Sequence, residues 1–186
     1  MSILIIGADT KQGLFFTEQL SKLGYDLFVT GKNKFKINKI KEDISNKIET
    51  ITIDLASIYN CKKLFNQLSK ENINVVINCT NILSNKNFLD TSIDEDLDLI
   101  DNNICSIHTI TKLFLTYFEE KNNGYIFNYD SNENTSITNN ACNEYLNKLT
   151  KSINYELVKK EKNVQVISFN ENNKQEVINK INAIKK

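Results

Sequence analysis

Two glycines six residues apart, Gly7 and Gly13, are the pair in this chain whose type and spacing best suit a chemical task. The apolar run Ile3–Ile6 stops at Gly7, and a short polar turn leads to Gly13. Glycine lets the backbone come close to a pyrophosphate, and a helix starting there offers unpaired N–H groups and the positive end of its dipole. The chemistry of such a turn is phosphate binding. Other chemistry-bearing residues are sparse. His108 is the one histidine, without a metal-ligand companion in sequence, and reads as a packing residue on a mixed helix face. Cys61, Cys79, Cys105 and Cys142 are scattered, with neither disulfide-rich nor zinc-ligand spacing, and read as reduced, mostly packing thiols.

The elements around the turn are legible from their patterning. After it, Leu14, Phe15, Leu20 and Leu23 alternate with Gln12, Glu18 and Lys22 in an amphipathic segment that Gly24 ends, and a second apolar run spans Leu27–Val29. Ser2–Gly31 thus reads strand, glycine turn, helix, glycine stop, strand, a βαβ unit of the dinucleotide-binding kind.

Composition narrows the class. The 186 residues fit a single domain over 1–186 with a sizeable core. With 23 basic residues, all lysine, against 23 acidic ones, the net charge is zero. That argues against nucleic acid or an anionic membrane as partner. No apolar run approaches bilayer length and the N-terminus lacks a signal-type pattern, so a cytoplasmic protein is expected. Proline, arginine and tryptophan are absent, while asparagine, lysine and isoleucine dominate. An AT-rich coding sequence produces this composition, so single Asn and Lys residues carry little functional weight on their own.

Further along, Lys32–Lys47 holds Ile37, Ile40 and Ile44 at the spacing of a short helix, and Thr50–Leu55 reads as a strand ending near Asp54. Helices are expected over Ser57–Glu71, Asp94–Glu120, Ala141–Glu161 and Lys174–Lys186. Strands are expected over Ile73–Asn78, Tyr125–Tyr129 and Val164–Phe169, and polar loops over Asn81–Asp90 and Asp130–Asn140. Alternation of strand and helix throughout predicts an α/β fold with a doubly wound parallel sheet. Its ligand crevice would lie beyond the carboxyl ends of the strands, after Gly7, Gly31, Asp54, Asn78 and Asp130.

Read together, those strand ends resemble the short-chain dehydrogenase/reductase family, and the resemblance covers about residues 2 to 172. Gly7 and Gly13 match the first and third glycines of the family's turn, with Lys11 at the middle one. Asp54-Leu55 matches the pair that holds the adenine, and Asn78-Cys79-Thr80-Asn81 stands where the family has Asn-Asn-Ala-Gly. Asn103-Ile104 with Thr111 resembles the family's structural asparagine and threonine, and GYIFNYDS its fifth strand, ending in Ser131. LTKSINYEL and VQVISF resemble its helix end and sixth strand. The resemblance implies a single Rossmann-type domain of about six parallel strands flanked by helices.

The family reaction is hydride transfer with a nicotinamide. A tyrosine is the general acid/base, a lysine four residues later lowers its pKa, and a serine bonds the substrate oxygen. Counting back from LTKSINYEL puts the tyrosine position on Asn139 and the lysine position on Asn143, with Ala141 and Cys142 between them. Asparagine does not exchange that proton near neutral pH. The expectation is a degenerate, non-catalytic member with a binding, regulatory or assembly role. A rival alignment counts forward from Ser131 to Tyr145 and Lys148. With Asn103 it would make an active NADP-dependent carbonyl reductase or alcohol dehydrogenase. It requires deletions inside a packed helix.

For a cofactor, the resemblance implicates Gly7, Lys11, Gly13, Lys32, Asp54, Leu55 and Asn78. Lys32, where NADP-preferring members often carry a basic residue, leans the expectation to NADP over NAD, with no metal. Glu171-Asn172 replaces the family's Pro-Gly and a single short helix follows, so much of the substrate lid is expected to be missing and the substrate is not legible. A homodimer through the two long helices, or a larger complex, is the expected assembly.

Overall fold

The computed structural model describes residues 1–44, 47–131 and 136–184. Six strands form one sheet: β1 (Ser2–Ile6), β2 (Asp26–Gly31), β3 (Ile48–Thr52), β4 (Ile73–Asn78), β5 (Gly124–Tyr129) and β6 (Val164–Phe169). Their order is β3-β2-β1-β4-β5-β6, and every pairing is parallel. Connecting them are α1 (Lys11–Lys22), α2 (Lys34–Asp43), α3 (Ile58–Leu68), α4 (Ile93–Ile100), α5 (Ser106–Lys121) and α6 (Ile137–Lys159), and α7 (Lys174–Ile184) follows β6. This is the doubly wound α/β sheet expected.

Helices cover both faces, and β1 shows why its run is continuously apolar. Ile3 and Ile5 face Phe16 and Leu20 of α1, Ile37 of α2 and Ile178 and Ile181 of α7. Leu4 and Ile6 face Leu64 of α3 and Ile110, Phe114 and Phe118 of α5. Side chains on both sides of a strand covered on both faces must be apolar. Each large side chain fully removed from water contributes about 1.5–3 kcal/mol before entropy is counted.

Three expected boundaries move. β3 stops at Thr52, so Asp54 sits in the loop beyond it. The helix expected over Asp94–Glu120 is divided: a wider π-type turn over Asp101–Cys105 separates α4 from α5 and holds Asn102 and Asn103 buried. α6 starts at Ile137, not at Ala141, because the Ser136 hydroxyl caps it by accepting from the Asn139 N–H. Within the loop expected over Asp130–Asn140, residues 132–135 lie outside the described residues, as do 45 and 46 of the expected Lys32–Lys47 helix and the last two residues of the chain.

Candidate nucleotide site

The turn after β1 is tightly built. Gly7 has a φ of +75°, a left-handed conformation that glycine adopts without strain. Thr10 caps α1, its hydroxyl accepting from the Gly13 N–H at 3.0 Å and donating to the Gly7 carbonyl at 2.7 Å. A side chain on Gly13 would begin 2.0 Å from that carbonyl oxygen, so the start of the helix rests directly on the turn. Lys11 stands in solvent, its side chain 80 % exposed and its ammonium 3.7 Å from Glu171. Gln12 points along the strand ends and donates to the Tyr129 hydroxyl at 3.0 Å.

Beside the turn, at the carboxyl ends of β1 and β2, opens a cleft of about 520 Å³. Of the residues the resemblance implicates, Gly7, Lys32, Asp54 and Leu55 line it, and Lys11, Gly13 and Asn78 do not. Asn78 lies buried below, donating to Asn128 Oδ1. Asp54 turns back on its own loop, accepting from the Ala56 N–H at 3.1 Å and, through its carbonyl, from Asn60 at 2.7 Å. Thr30 Oγ1 and Asn81 Nδ2, on two residues of the wall, are themselves shut off from the surface and have no hydrogen-bond partner among the described residues.

The sequence reading missed Asp9. Its Oδ2 accepts from the Asn33 N–H at 2.8 Å, and its carbonyl accepts from the Lys36 ammonium at 2.9 Å. Its Oδ1 lies over Gly31, 2.4 Å from where a side chain there would begin. An acid two residues after Gly7, inside the turn, was the available signal.

On the other side of β4 the polar groups are turned inward. Asn139 is 1 % exposed. Its Nδ2 donates to the Ile82 carbonyl at 2.7 Å and its Oδ1 accepts from the Ser84 N–H at 2.8 Å. Asn103 binds Ile82 twice, at its N–H and at its carbonyl. Asn143 reaches the buried Ser131 hydroxyl at 3.5 Å, and Asn147 donates to Asp130 Oδ2 at 2.7 Å. Three asparagines at four-residue intervals thus line the inner face of α6. Burial pushes the Asp130 carboxyl above the usual carboxylate range, an effect the Asn147 hydrogen bond opposes and the Glu144 charge reinforces. Its Oδ1 has no hydrogen-bond partner among the described residues.

The short chain dehydrogenase family model matches residues 1–145. The chain belongs to this family. Among solved structures, a metagenomic short-chain oxidoreductase in complex with NADP is 18% identical with a TM-score of 0.83, the alignment covering 91% of this chain and 81% of that one. Serine dehydrogenase from Escherichia coli is 19% identical with a TM-score of 0.81, covering 90% and 81%. A bulky-bulky ketone specific alcohol dehydrogenase from Comamonas testosteroni is 19% identical with a TM-score of 0.80, covering 91% and 71%. No curated protein matches in sequence.

In this short-chain dehydrogenase family member, the structure does not assemble the expected set Ser131, Tyr145 and Lys148. Ser131 meets Asn143. Tyr145 faces outward, its hydroxyl 2.7 Å from His108 Nδ1, and Lys148 is exposed. His108 itself is exposed, which corrects its reading as a packing residue: the mixed face of α5 turns it to solvent beside α6. The buried Cys61, Cys79 and Cys142 do pack in the interior, where burial raises their thiol pKa values, that of Cys61 to about 11. Among the described residues no three His, Cys, Asp or Glu side chains are grouped to hold a metal ion, and no helix is long and apolar enough to cross a membrane.

The residues fit the two halves of a nicotinamide dinucleotide unequally. The cleft beside Gly7 and Gly31 adjoins the start of α1, where a helix N-terminus offers backbone N–H groups to phosphate. No described residue from 129 to 143 lines it, so the region of Ser131, Asn139 and Asn143 stays outside.

Proposed function

We propose that this family member is non-catalytic and acts by binding a nucleotide, in a regulatory or assembly role. One observation carries the reading: Asn139, at the tyrosine position of the alignment through LTKSINYEL, is buried with both amide atoms committed to the Ile82–Ser84 backbone. An amide in that state neither transfers a proton nor faces a substrate carbonyl. Asn143, at the lysine position, carries no charge with which to lower a neighbouring pKa.

The alternative, an active NADP-dependent carbonyl reductase, depends on Tyr145. The hydrogen bond between Tyr145 and His108 on the outer face of α6 weighs against it. Binding of NADH and NADPH followed by fluorescence, alongside turnover on a panel of aldehydes and ketones, tests the choice. Binding without turnover is expected. Turnover abolished by Tyr145→Phe would overturn the proposal in favour of the reductase, and no binding of any nucleotide would reject both readings.

An assembly role has its own support. Ile93 and Leu97 of α4 and Ile137, Tyr155 and Val158 of α6 are large apolar side chains left exposed. A second copy of the chain packed along these helices would cover them.

A further inference from the structure

We propose that Cys105 and Cys142 are a redox pair that a peroxide oxidises to a disulfide, stapling the π-type turn to α6. The inference stands apart from the nucleotide reading. Helices α5 and α6 run side by side in the same direction, and their seam is pinned at two heights. His108 Nδ1 lies 2.7 Å from the Tyr145 hydroxyl, and further along the Lys160 ammonium donates to Glu119 at 3.2 Å. Leu115 of α5 and Leu149 and Ile153 of α6 line the groove between these points. Three residues before His108, nearly one turn, stands Cys105, and three before Tyr145 stands Cys142. The π-type turn that Cys105 closes packs directly on α6, and the Cys142 thiol senses the charge of Cys105. Packed helices have axes about 8–10 Å apart and Cα atoms about 2.3 Å from each axis, so facing positions come within reach of a disulfide.

Of the four cysteines, Cys105 alone is not fully buried, whereas Cys142 is 2 % exposed. Peroxide therefore meets Cys105 first. Its thiolate attacks one peroxide oxygen: an S–O bond forms, the O–O bond breaks, and hydroxide leaves, taking up the thiol proton as water. The product is the Cys105 sulfenic acid. The Cys142 sulfur then attacks the Cys105 sulfur: the S–S bond forms, the S–O bond breaks, and hydroxide leaves with the Cys142 proton as a second water. The two thiols lose two electrons and the peroxide gains them. Burial and the neighbouring Asp101 carboxylate raise the Cys105 thiol pKa, which makes the first step slow. Cys142, held alongside, captures the sulfenic acid before a second peroxide arrives. The bond joins covalently two segments that already share the Ile82 carbonyl through Asn103 and Asn139.

The test treats the intact, reduced chain with a small excess of hydrogen peroxide, then alkylates it and maps its peptides by mass spectrometry. A mass loss of about 2 Da is expected, with free thiols counted in denaturant falling from four to two. A cross-linked peptide should contain Cys105 and Cys142, and dithiothreitol should reverse all three changes. In Cys142→Ala the Cys105 sulfenic acid should accumulate and be trapped by dimedone, and in Cys105→Ser the remaining thiols should survive the same dose. A cross-link between two copies of the chain would overturn the pairing. So would Cys105 carried on to sulfinic acid in the unaltered chain with Cys142 still free, or four intact thiols after prolonged exposure. The peptide map of the unaltered chain decides the matter whether or not either variant folds.

Discussion

Asn103 and Asn139 hold the same carbonyl from two different helical segments. Asn103 Nδ2 donates to the Ile82 oxygen at 2.8 Å, and Asn139 Nδ2 donates to it at 2.7 Å. Their side-chain oxygens accept from the Ile82 and Ser84 N–H groups. A carbonyl has two lone pairs, and here both are used. The π-type turn and the first turn of α6 are thereby joined through the chain leaving β4.

That sharing predicts non-additive energetics. Asn139→Ala and Asn103→Ala should each lower unfolding free energy by about 1–3 kcal/mol, since each strands a backbone N–H. After either change the Ile82 carbonyl retains one donor; after both it has neither. The double variant should therefore lose more than the sum of the singles, by about 0.5 kcal/mol or more, in urea denaturation. Strict additivity would show that the two amides act independently.

Asp130 sets a pH dependence. Its carboxyl titrates higher in the folded chain than in the unfolded one. Below the unfolded value, about 3.9, both states are protonated and ionisation carries no penalty. As pH rises toward and through the raised folded value, the unfolded state ionises first and the fold loses stability. Asp130→Asn should consequently be more stable than the unaltered chain at pH 7, with the advantage shrinking as pH falls toward 4. Urea unfolding at several pH values measures it, and an advantage that grows on acidification would contradict the assignment.

Tyr145→Phe removes only the contact with His108 at an exposed position. Stability should change by less than about 1 kcal/mol. Nucleotide affinity, read by titration, should not change.

Two glycines separate backbone strain from close approach. Gly24 has a φ of +74° with open space around it, so Gly24→Ala should reduce stability by about 1–2 kcal/mol and leave nucleotide binding intact. Gly13→Ala places a methyl 2.0 Å from the Gly7 carbonyl oxygen, where only the backbone can give way. Overpacking of this kind destabilises by about 1–3 kcal/mol or more, and displacement of the turn should abolish nucleotide binding as well. Thermal melts and ADP titration of both variants distinguish the effects.

The exposed apolar residues of α4 and α6 predict a dimer. Light scattering should give about twice the chain mass at micromolar concentration, and Val158→Lys with Ile93→Lys should return the monomer. Monomers at every concentration would leave those helices without this role.

The sequence by itself determined the layout. Alternating apolar runs and amphipathic segments, with Gly7 and Gly24 as the first stops, specify the α/β order, because covered parallel strands must be apolar on both faces and helices on one. The turn at Gly7–Gly13 was legible for the same local reason: a left-handed φ and a helix packed on its own turn leave a glycine signature. The boundaries near the site were less legible. A capping serine and buried amides in an Asn-rich stretch look like loop, which hid the start of α6 at Ile137, whereas the π-type turn at Asn103 keeps the apolar spacing of a continuous helix and was hidden inside one. Only the tertiary structure decided which asparagines of α6 face the β-strand ends and that Tyr145 does not. It also brought Asp9 across to Gly31, from the next strand of the sheet. Those relationships join residues far apart in the chain, and no local pattern encodes them.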